Sequence, residues 1–327
     1  MKVQQLRFLV EIVRHNNNIS RAAKSLCTSQ SGISKQVKLL ENELQLSLFE
    51  RKGRNLECLT PQGVMIYEQA VAVLNRIKFI SDIADEYNNE NDGFTLATTH
   101  TQARYVLPQI IAEFKALHPN VALNIQQGTP GQIAELVVQG RADLAIATES
   151  LKNNAQLLAL PCYRWGRCVI TRKGHALIQC AGLTLQELAD YPIITYADGF
   201  TGRNEIDKAF YKNNLQPTIV LTAFDADVIK TYVRLGLGVG IIAKMAYNHE
   251  ADDDLAALDA EHLFGISTTQ IAFRKDKYIR NYIYRFIALF APHLHEQVVK
   301  EMMQLDDNRL SEKKISGFKI PVFGAET

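Results

Sequence analysis

Polar side chains crowd the segment LATTHTQARYVLP, residues 96–108, between an apolar run and a predicted helix. The hydroxyl, imidazole and amide groups belong to Thr98, Thr99, His100, Thr101 and Gln102. Side chains of this kind compete with backbone hydrogen bonding, so a cluster of them marks a turn, a helix cap or a site. Unpaired N–H groups and the positive end of the helix dipole favour an anion at a helix N-terminus. The segment therefore predicts either a capped turn or an anion site.

Two later strand-to-helix junctions carry similar chemistry. Thr148 follows the apolar run DLAIA, and Thr201 follows PIITYAD. Ligands of α/β domains bind at the carboxyl ends of strands, so three converging junctions predict a cleft that holds a small oxyanion or carboxylate through neutral donors. N-capping by each threonine is the alternative. Arg104 and Arg203 lie close enough in sequence to be tested as further contacts.

A second chemically competent segment is NISRAAKSLCTSQSGISKQVKLLENEL, where two helical patterns flank Cys27-Thr28-Ser29. One face of the second helix carries Ile33, Val37, Leu40 and Leu44, at helical spacing. The opposite face carries Ser31, Ser34, Lys35 and Lys38. Short donors and long cations without a carboxylate suit base edges and phosphates in a major groove. The solvated face of an ordinary helical hairpin is the alternative.

Charge and a basic hairpin favour the DNA interpretation. FERKGRNLECLTPQG contains Arg51 and Arg54, in the manner of a wing that contacts phosphates. Residues 1–58 carry a net charge of +5, so by difference from the overall +1 the remainder carries −4. A basic head on a mildly acidic body predicts a polyanion partner for the head alone.

The run AAKSLCTSQSGISKQVKLLENELQLSLFERKGRNLECLTPQG resembles the winged helix-turn-helix of LysR-type transcriptional regulators. This resemblance implies a homodimer or homotetramer that binds double-stranded operator DNA. The expected DNA-binding residues are Thr28, Ser29, Gln30, Ser31, Ser34, Lys35, Lys38, Arg51 and Arg54. Ser31 is a departure, since the family usually has proline there, but a proline in the first helical turn is favourable rather than necessary.

A long heptad pattern follows the head. Its apolar positions are Ile66, Ala70, Val73, Ile77, Ile80, Ala84 and Tyr87. Such a seam is typical of a coiled coil, and pairing between two subunits would match palindromic half-sites. Burial against the chain's own body is the alternative. The polar NNEND after the helix indicates a hinge.

Beyond residue 93, short β-branched runs alternate with helical stretches, which predicts an α/β domain with mostly parallel strands. The first three β-branched runs precede Trp165, and the last one, TQIAFR, follows Ile266. The chain is therefore expected to leave a first lobe, form a second one and return to the first. The expected domains are a winged helix-turn-helix at 1–59, a linker helix and hinge at 60–92, two lobes at 93–300, and a C-terminal tail at 301–327. Lobe I covers about 93–164 and 266–300, and lobe II covers about 165–265.

The body also resembles the LysR-type members that regulate cysteine biosynthesis, on ATTHTQARYVLP, GTPGQIAELVVQGRADLAIATE, LPCYRW, GFTGRNEIDKAF and TAFDADVIKTYVRLGLGVGIIAKMA. This resemblance implies a periplasmic-binding-protein-like effector domain, an acetylserine inducer, a cleft that accepts sulfate or thiosulfate, and activation through RNA polymerase. The matching cleft residues are Thr99, Thr101, Gln102, Thr148, Trp165 and Thr201. A regulator of organosulfur use, or one that senses another carboxylate, is the alternative.

Other classes find less support in the sequence. An enzyme using the cleft would need a nucleophile with an orienting acid near His100, and none is visible. The run GLGVGI lacks dinucleotide-fingerprint spacing. Five cysteines without C-x-x-C spacing predict reduced, mostly buried thiols and no metal or cofactor. The N-terminus lacks a signal-peptide pattern, and we therefore expect a cytoplasmic protein.

Overall fold

The computed structural model of the chain describes residues 1–52, 55–88, 93–148, 151–152, 154–179, 182–200, 202–305 and 314–324. The chain forms two compact units. The head unit comprises Met1–Asn88 with Asp276–Tyr278, and the body unit comprises Asn89–Lys275 and Ile279–Thr327. No helix in the described ranges is both long enough and apolar enough to cross a membrane.

The head unit contains three short helices, a hairpin and one long helix. Its elements are α1 (Val3–Arg14), α2 (Ile19–Ser25), α3 (Gln30–Leu44), β1 (Phe49–Lys52), β2 (Asn55–Leu59) and α4 (Pro61–Asn88). Asn18 caps α2 by accepting from the Arg21 N–H at 2.9 Å, and Ser29 caps α3 by accepting from the Gly32 N–H at 3.1 Å. Cys27 turns the chain between the two helices with a φ of +48°. The break therefore lies where the hydroxyl-rich sequence predicts it.

The apolar face predicted for α3 forms the centre of the head. Ile33, Val37 and Leu40 are buried together with Leu9 and Ile12 of α1. Burying a side chain of this size contributes about 1.5–3 kcal/mol, so this face fixes α3 and turns its other side to solvent.

The long helix α4 is continuous through all the predicted heptad positions. Ala70 is buried and Ile66 packs against the head core, so the first part of the seam is covered by the chain's own head. Further along, Val73 is 41% exposed and Ile80 is 68% exposed. The head core therefore covers the beginning of the seam, whereas Val73 and Ile80 stay exposed beyond it.

The body unit contains the remaining strands and helices. The strands are β3 (Gly93–Thr98), β4 (Ala122–Gln127), β5 (Leu144–Ala147), β6 (Leu157–Trp165), β7 (Arg167–Arg172), β8 (Ile193–Tyr196), β9 (Ile219–Ala223), β10 (Val239–Ala243), β11 (Leu255–Asp259) and β12 (Ser267–Arg274). The α-helices are α5 (His100–Tyr105), α6 (Leu107–Leu117), α7 (Pro130–Val138), α8 (Leu185–Ala189), α9 (Arg203–Lys212), α10 (Ala226–Arg234), α11 (Glu261–Phe264), α12 (Asn281–Phe290) and α13 (Glu296–Met303). Two short 3₁₀ turns lie at Ala176–Gln179 and Lys244–Ala246.

The strands form two five-stranded sheets, one in each lobe. The first lobe has the order β4-β3-β5-β12-β6, and the second has the order β11-β7-β10-β8-β9. The chain passes from the first sheet to the second between β6 and β7, and it returns in β12.

The prediction of mostly parallel strands was wrong, because β6, β7, β11 and β12 all pair in antiparallel fashion. β7, with which the chain enters the second sheet, and β12, with which it re-enters the first, run against the parallel strands of their sheets. β6 and β11 were not predicted from the sequence. β6 contains Pro161, which an edge strand tolerates, and β11 has the composition Leu-Ala-Ala-Leu-Asp, without β-branched residues.

The cysteines do not all behave as buried apolar residues. Cys162 and Cys168 are buried free thiols, whereas Cys27 and Cys58 are exposed free thiols. Burial raises the pKa of Cys168 to about 12. Cys180 lies outside the described residues.

Candidate functional site

The predicted anion segment begins where β3 ends. The Thr98 hydroxyl donates to the Ile146 carbonyl at 3.0 Å, so this side chain joins two neighbouring strands. Thr99 occupies the N-cap position of α5, but its side chain makes no capping hydrogen bond and is 5% exposed. The capping explanation therefore does not apply to Thr99. Because α5 has only six residues and Val106 separates it from α6, the hydroxyl and amide donors matter here more than a helix dipole.

Strand register brings the first two junctions together. β3 and β5 are parallel neighbours in which Thr98 pairs with Ile146. Thr99 and the half-buried Thr148 therefore follow adjacent carboxyl ends of the same sheet. Thr201, the threonine of the third junction, lies outside the described residues.

Gln102 connects α5 to the strands that cross between the lobes. The Tyr163 hydroxyl of β6 donates to Gln102 Oε1. Gln102 Nε2 lies 3.4 Å from Thr269 Oγ1 of β12 and 3.9 Å from Met245 Sδ. The Gln102 side chain is 2% exposed, so the crossover holds this amide in a buried position.

Thr101 reaches the second lobe. Its hydroxyl is buried and has no hydrogen-bond partner of good geometry in the described part of the chain. It nevertheless lies close enough to the Tyr196 hydroxyl, at the end of β8, to influence the pKa of that phenol, which burial raises. Tyr196 itself accepts a hydrogen bond from the Ala243 N–H at 3.2 Å.

Trp165 and Arg167 lie at the crossover itself. The Trp165 side chain is 2% exposed, and the Arg167 guanidinium carbon is 4.9 Å from its ring centroid. Arg167 donates to Ser267 Oγ at 2.8 Å and to the Gly202 carbonyl at 3.4 Å. Gly202 has a φ of +72°, and a Cβ there would collide with the guanidinium. A buried positive charge therefore lies against the start of α9, beside the third junction.

Two predicted effector residues, Thr101 and Trp165, and the adjacent His100 have buried polar atoms without a hydrogen-bond partner among the described residues. These atoms are His100 Nε2, Thr101 Oγ1 and Trp165 Nε1. Leaving a buried donor or acceptor unsatisfied costs about 1–3 kcal/mol, and folded proteins rarely tolerate it without a functional reason. A bound polar group or an ordered water beside these atoms would complete their hydrogen bonding.

The two arginines near the junctions are engaged in ion pairs. Arg104 Nε lies 3.3 Å from Asp227 Oδ2, and the Tyr105 hydroxyl donates to Asp227 Oδ1 at 2.7 Å, so α5 is joined to α10 of the second lobe. Arg203 Nε donates to Asp207 at 2.8 Å, and its Nη1 donates to the Tyr196 carbonyl at 2.7 Å. Both arginines are therefore paired with carboxylates, and Arg167 is the buried cation near the candidate site that was not predicted from the sequence.

On the head unit, the predicted DNA-binding face of α3 is open. The exposed side chains are Thr28, Ser29, Gln30, Ser31, Ser34, Lys35 and Lys38. The Ser29 hydroxyl caps α3, so its expected role is to fix the start of this helix. No carboxylate occurs between Thr28 and Lys38, and the face combines short donors with cations.

In the hairpin β1–β2, the predicted wing, Arg51 makes an ion pair within the head unit in addition to its expected role in phosphate binding. Arg51 Nη2 donates to Glu41 Oε2 at 2.7 Å, and Glu41 also accepts from the Leu48 N–H at 3.0 Å. Arg51 therefore ties the hairpin to α3 while its side chain stays 42% exposed. Arg54 lies outside the described residues.

A groove elsewhere in the first lobe is separate from this site. It has a volume of about 520 Å³ and is lined by residues of β6, β12 and the C-terminal segment, including Leu158, Thr268 and Ile320. None of the predicted effector residues lines it. The described residues also contain no cluster of His, Cys, Asp or Glu that could hold a metal ion.

The head has a helix-turn-helix with a basic face, and the body has two α/β lobes with buried polar groups. Together these features define the class of ligand-responsive DNA-binding regulators. Residues 3–64 match the bacterial regulatory helix-turn-helix protein, lysR family, and residues 88–295 match the LysR substrate binding domain. The chain belongs to the LysR family of transcriptional regulators. The resemblance seen in the sequence is confirmed, and the enzyme alternative is excluded.

Curated relatives share nearly the whole chain. The transcriptional regulator CysB of Haemophilus influenzae is 48% identical over 321 residues, which covers 98% of this chain and 99% of that protein. The regulator SsuR of Burkholderia cenocepacia is 46% identical and covers 93% of this chain and 99% of its own. Among solved structures, the cofactor-binding domain of the Cbl transcriptional regulator superposes with a TM-score of 0.63 at 43% identity, covering 66% of this chain and 96% of that domain.

Proposed function

We propose that this LysR-family regulator activates genes of sulfur assimilation and cysteine biosynthesis when a small anionic effector, acetylserine in the first instance, binds its body unit. Kinship with CysB and SsuR supports the choice of pathway. In this proposal, residues 1–59 form the DNA-binding domain, and residues 60–92 form the linker that pairs subunits into a homodimer or homotetramer. Residues 93–300 form the two lobes, and residues 301–327 form the tail. RNA polymerase is the expected partner at the promoter, in the cytoplasm.

One observation supports this effector site: Thr101 Oγ1 and Trp165 Nε1 are buried and have no hydrogen-bond partner among the described residues. Both residues lie near the strands that cross between the lobes, and Gln102 of α5 contacts one of these strands. Thr99 and Thr148 add hydroxyl donors from adjacent strand ends, and the sequence supplies Thr201 from the third junction. Neutral donors bind sulfate, thiosulfate or a carboxylate without an ion pair, while the buried charge of Arg167 adds a favourable field.

Thr99→Ala tests the effector site. Each hydrogen bond to a charged ligand contributes roughly 1.5–3 kcal/mol, so we expect affinity for acetylserine or sulfate to fall by about one to two factors of ten. Trp165 is the only tryptophan in the chain, and its fluorescence, together with calorimetry, gives the binding constants. Thr218→Ala, at an exposed threonine preceding β9, is the matched control. Wild-type affinity in Thr99→Ala would place the ligand elsewhere.

Ser34→Ala and Lys35→Ala test the head. Both residues are exposed on α3 opposite its buried face, so either change should weaken binding to an operator fragment by about 1–3 kcal/mol if the side chain contacts a base. Fluorescence anisotropy with labelled DNA measures the loss, and effector affinity should not change. Lys212→Ala, at an exposed lysine of the body, is the control. Undiminished operator affinity in both variants would remove α3 from the major groove.

The likeness to the Cbl domain supports a second candidate, regulation of organosulfur use. The two functions differ in the effector they require. Binding of acetylserine together with enhanced operator affinity favours the cysteine-biosynthesis role. Binding of sulfate-like anions without any response to acetylserine favours the second candidate or a regulator that senses another carboxylate.

A further inference from the structure

The C-terminal segment 314–324 attaches to the strand that leads into the second lobe. The Arg164 N–H donates to the Pro321 carbonyl at 2.8 Å, and the Phe323 N–H donates to the Arg164 carbonyl at 2.8 Å. Val322 thereby pairs in parallel with Arg164. Because β6 is an edge strand, this pairing occupies backbone groups that an open edge would expose.

The segment is also anchored through side chains. Ile315 and Phe318 pack against the apolar core of the first lobe, and the Phe318 ring lies 6.0 Å from the His293 ring. His293 Nε2 is in turn 2.8 Å from the Pro161 carbonyl of β6. The tail is therefore bound to the lobe independently of its strand contact.

One tail side chain reaches a neighbour of the candidate effector site. The Phe323 and Tyr163 ring centroids are 5.4 Å apart, and Phe290 packs against the same tyrosine at 5.7 Å. Tyr163 is 5% exposed, and its hydroxyl donates to Gln102 Oε1. Contacts thus run from the tail through Tyr163 to an effector residue on α5.

The orientation of the Gln102 amide decides whether it can bind an anion. A glutamine side chain offers a carbonyl acceptor on one side and two N–H donors on the other. Burial raises the pKa of Tyr163, which keeps the phenol protonated and able to donate to Oε1. Nε2 then makes two long contacts, at 3.4 Å with Thr269 Oγ1 and at 3.9 Å with Met245 Sδ.

We propose that the C-terminal tail is a positioning element of the effector site: Phe323 holds Tyr163 in place, and Tyr163 turns the N–H donors of Gln102 toward the anion. The proposal rests on the effector site of the proposed function. It assigns a role in ligand affinity to a segment that lies outside the residues matched to the LysR substrate binding domain.

Hydrogen exchange tests the positioning without any ligand. In the full-length protein, Phe323→Ala should speed amide exchange of the peptide covering α5 by about fivefold or more, since local stability follows the contacts that hold an element. Ile320→Ala removes a half-buried apolar side chain of the same tail and should leave α5 unchanged. Equal exchange of α5 in wild type and Phe323→Ala would overturn the proposal, whether or not a ligand binds.

Sulfate titration tests the consequence. Phe323→Ala and Tyr163→Phe should each weaken sulfate binding by about five- to tenfold, and the double variant by at most about twofold more, because residues acting through one contact are not additive. Phe323→Tyr should restore affinity, and operator binding without effector should not change. Fully additive losses, or an equal loss in Ile320→Ala, would contradict the proposal. Failure of the wild type to bind sulfate, thiosulfate and acetylserine would overturn the proposed function, and the exchange result would still decide the role of the tail.

Discussion

Replacing Asp252 by Ala is expected to lower the free energy of unfolding of the body by about 3–5 kcal/mol, because it removes the buried partner of a buried cation. Lys230 Nζ lies 3.1 Å from Asp252 Oδ2, and the two residues are 6% and 3% exposed. Asp252 also accepts from Arg234 Nη2 at 2.8 Å and from the Asn248 N–H at 3.0 Å.

Urea unfolding followed by Trp165 fluorescence measures this loss, since the only tryptophan of the chain lies in the body. Asp253→Ala is the matched control, because Asp253 is the exposed neighbour. Coincident unfolding midpoints for the Asp252 and Asp253 variants would show that the ion pair contributes nothing to stability.

The ion pair of Asp252 should also make the stability of the body depend on pH. Burial raises the pKa of Asp252, but hydrogen bonds from the Asn248 N–H, Arg234 and Lys230 outweigh it and leave the pKa below its ordinary value. A lowered folded-state pKa contributes stability above the unfolded pKa of about 3.9, and this contribution is lost as pH falls through the folded value. The difference in stability between wild type and Asp252→Asn should therefore be full at neutral pH and narrow below about pH 4. A difference that widened on acidification would contradict this sign.

This network also bears on the candidate cleft. Lys230 Nζ is 3.3 Å from Asp227 Oδ1, and Asp227 accepts the Tyr105 hydroxyl of α5. The carboxylates of the second lobe thus hold the helix that carries Thr101 and Gln102. Loss of Asp252 should consequently weaken effector binding as well as stability.

Local patterns predicted the elements of the fold better than its sheet directions. The spacing of Ile33, Val37 and Leu40 identified the buried face of α3, because residues three and four apart in the sequence lie on the same side of a helix. Strand direction depends on which lobe a segment rejoins, and no local pattern records that. The crossover strand β6 was missed because Pro161 interrupts its strand pattern, which matters little at a sheet edge.

In the candidate site, too, residues in local patterns could be singled out, whereas residues whose partners are distant in sequence could not. The repeated chemistry of three junctions singles out the segment that contains Thr99, Thr101 and Gln102, and the role of these three residues in effector binding stays a prediction. Arg167 and Tyr163 could not be singled out, since the residues that give them a role lie far away in sequence: Gly202 and Ser267 for Arg167, and Gln102 for Tyr163.

The second half of the α4 seam is where we expect subunits to pair. The seam residues Val73 and Ile80 are 41% and 68% exposed, and Ile83, which lies beside the seam, is 38% exposed. They recur at spacings of seven and three, which places them on one stripe. Packing within the described part of the head unit leaves these side chains exposed, and a second copy of α4 is the partner that the two-fold symmetry of palindromic DNA favours.

Ile80→Asp should therefore dissociate the oligomer while leaving each subunit folded. An exposed isoleucine contributes little to its own subunit, but a carboxylate in a desolvated subunit interface costs several kcal/mol, on the order of 3 or more. Sedimentation velocity should show the smaller species, and affinity for a palindromic operator should fall with it, whereas sulfate binding to the body should persist. Lys78→Asp places the same carboxylate about 200° around the helix and should leave the assembly intact. An Ile80→Asp protein that sediments as the wild type does would show that subunits pair through a different surface.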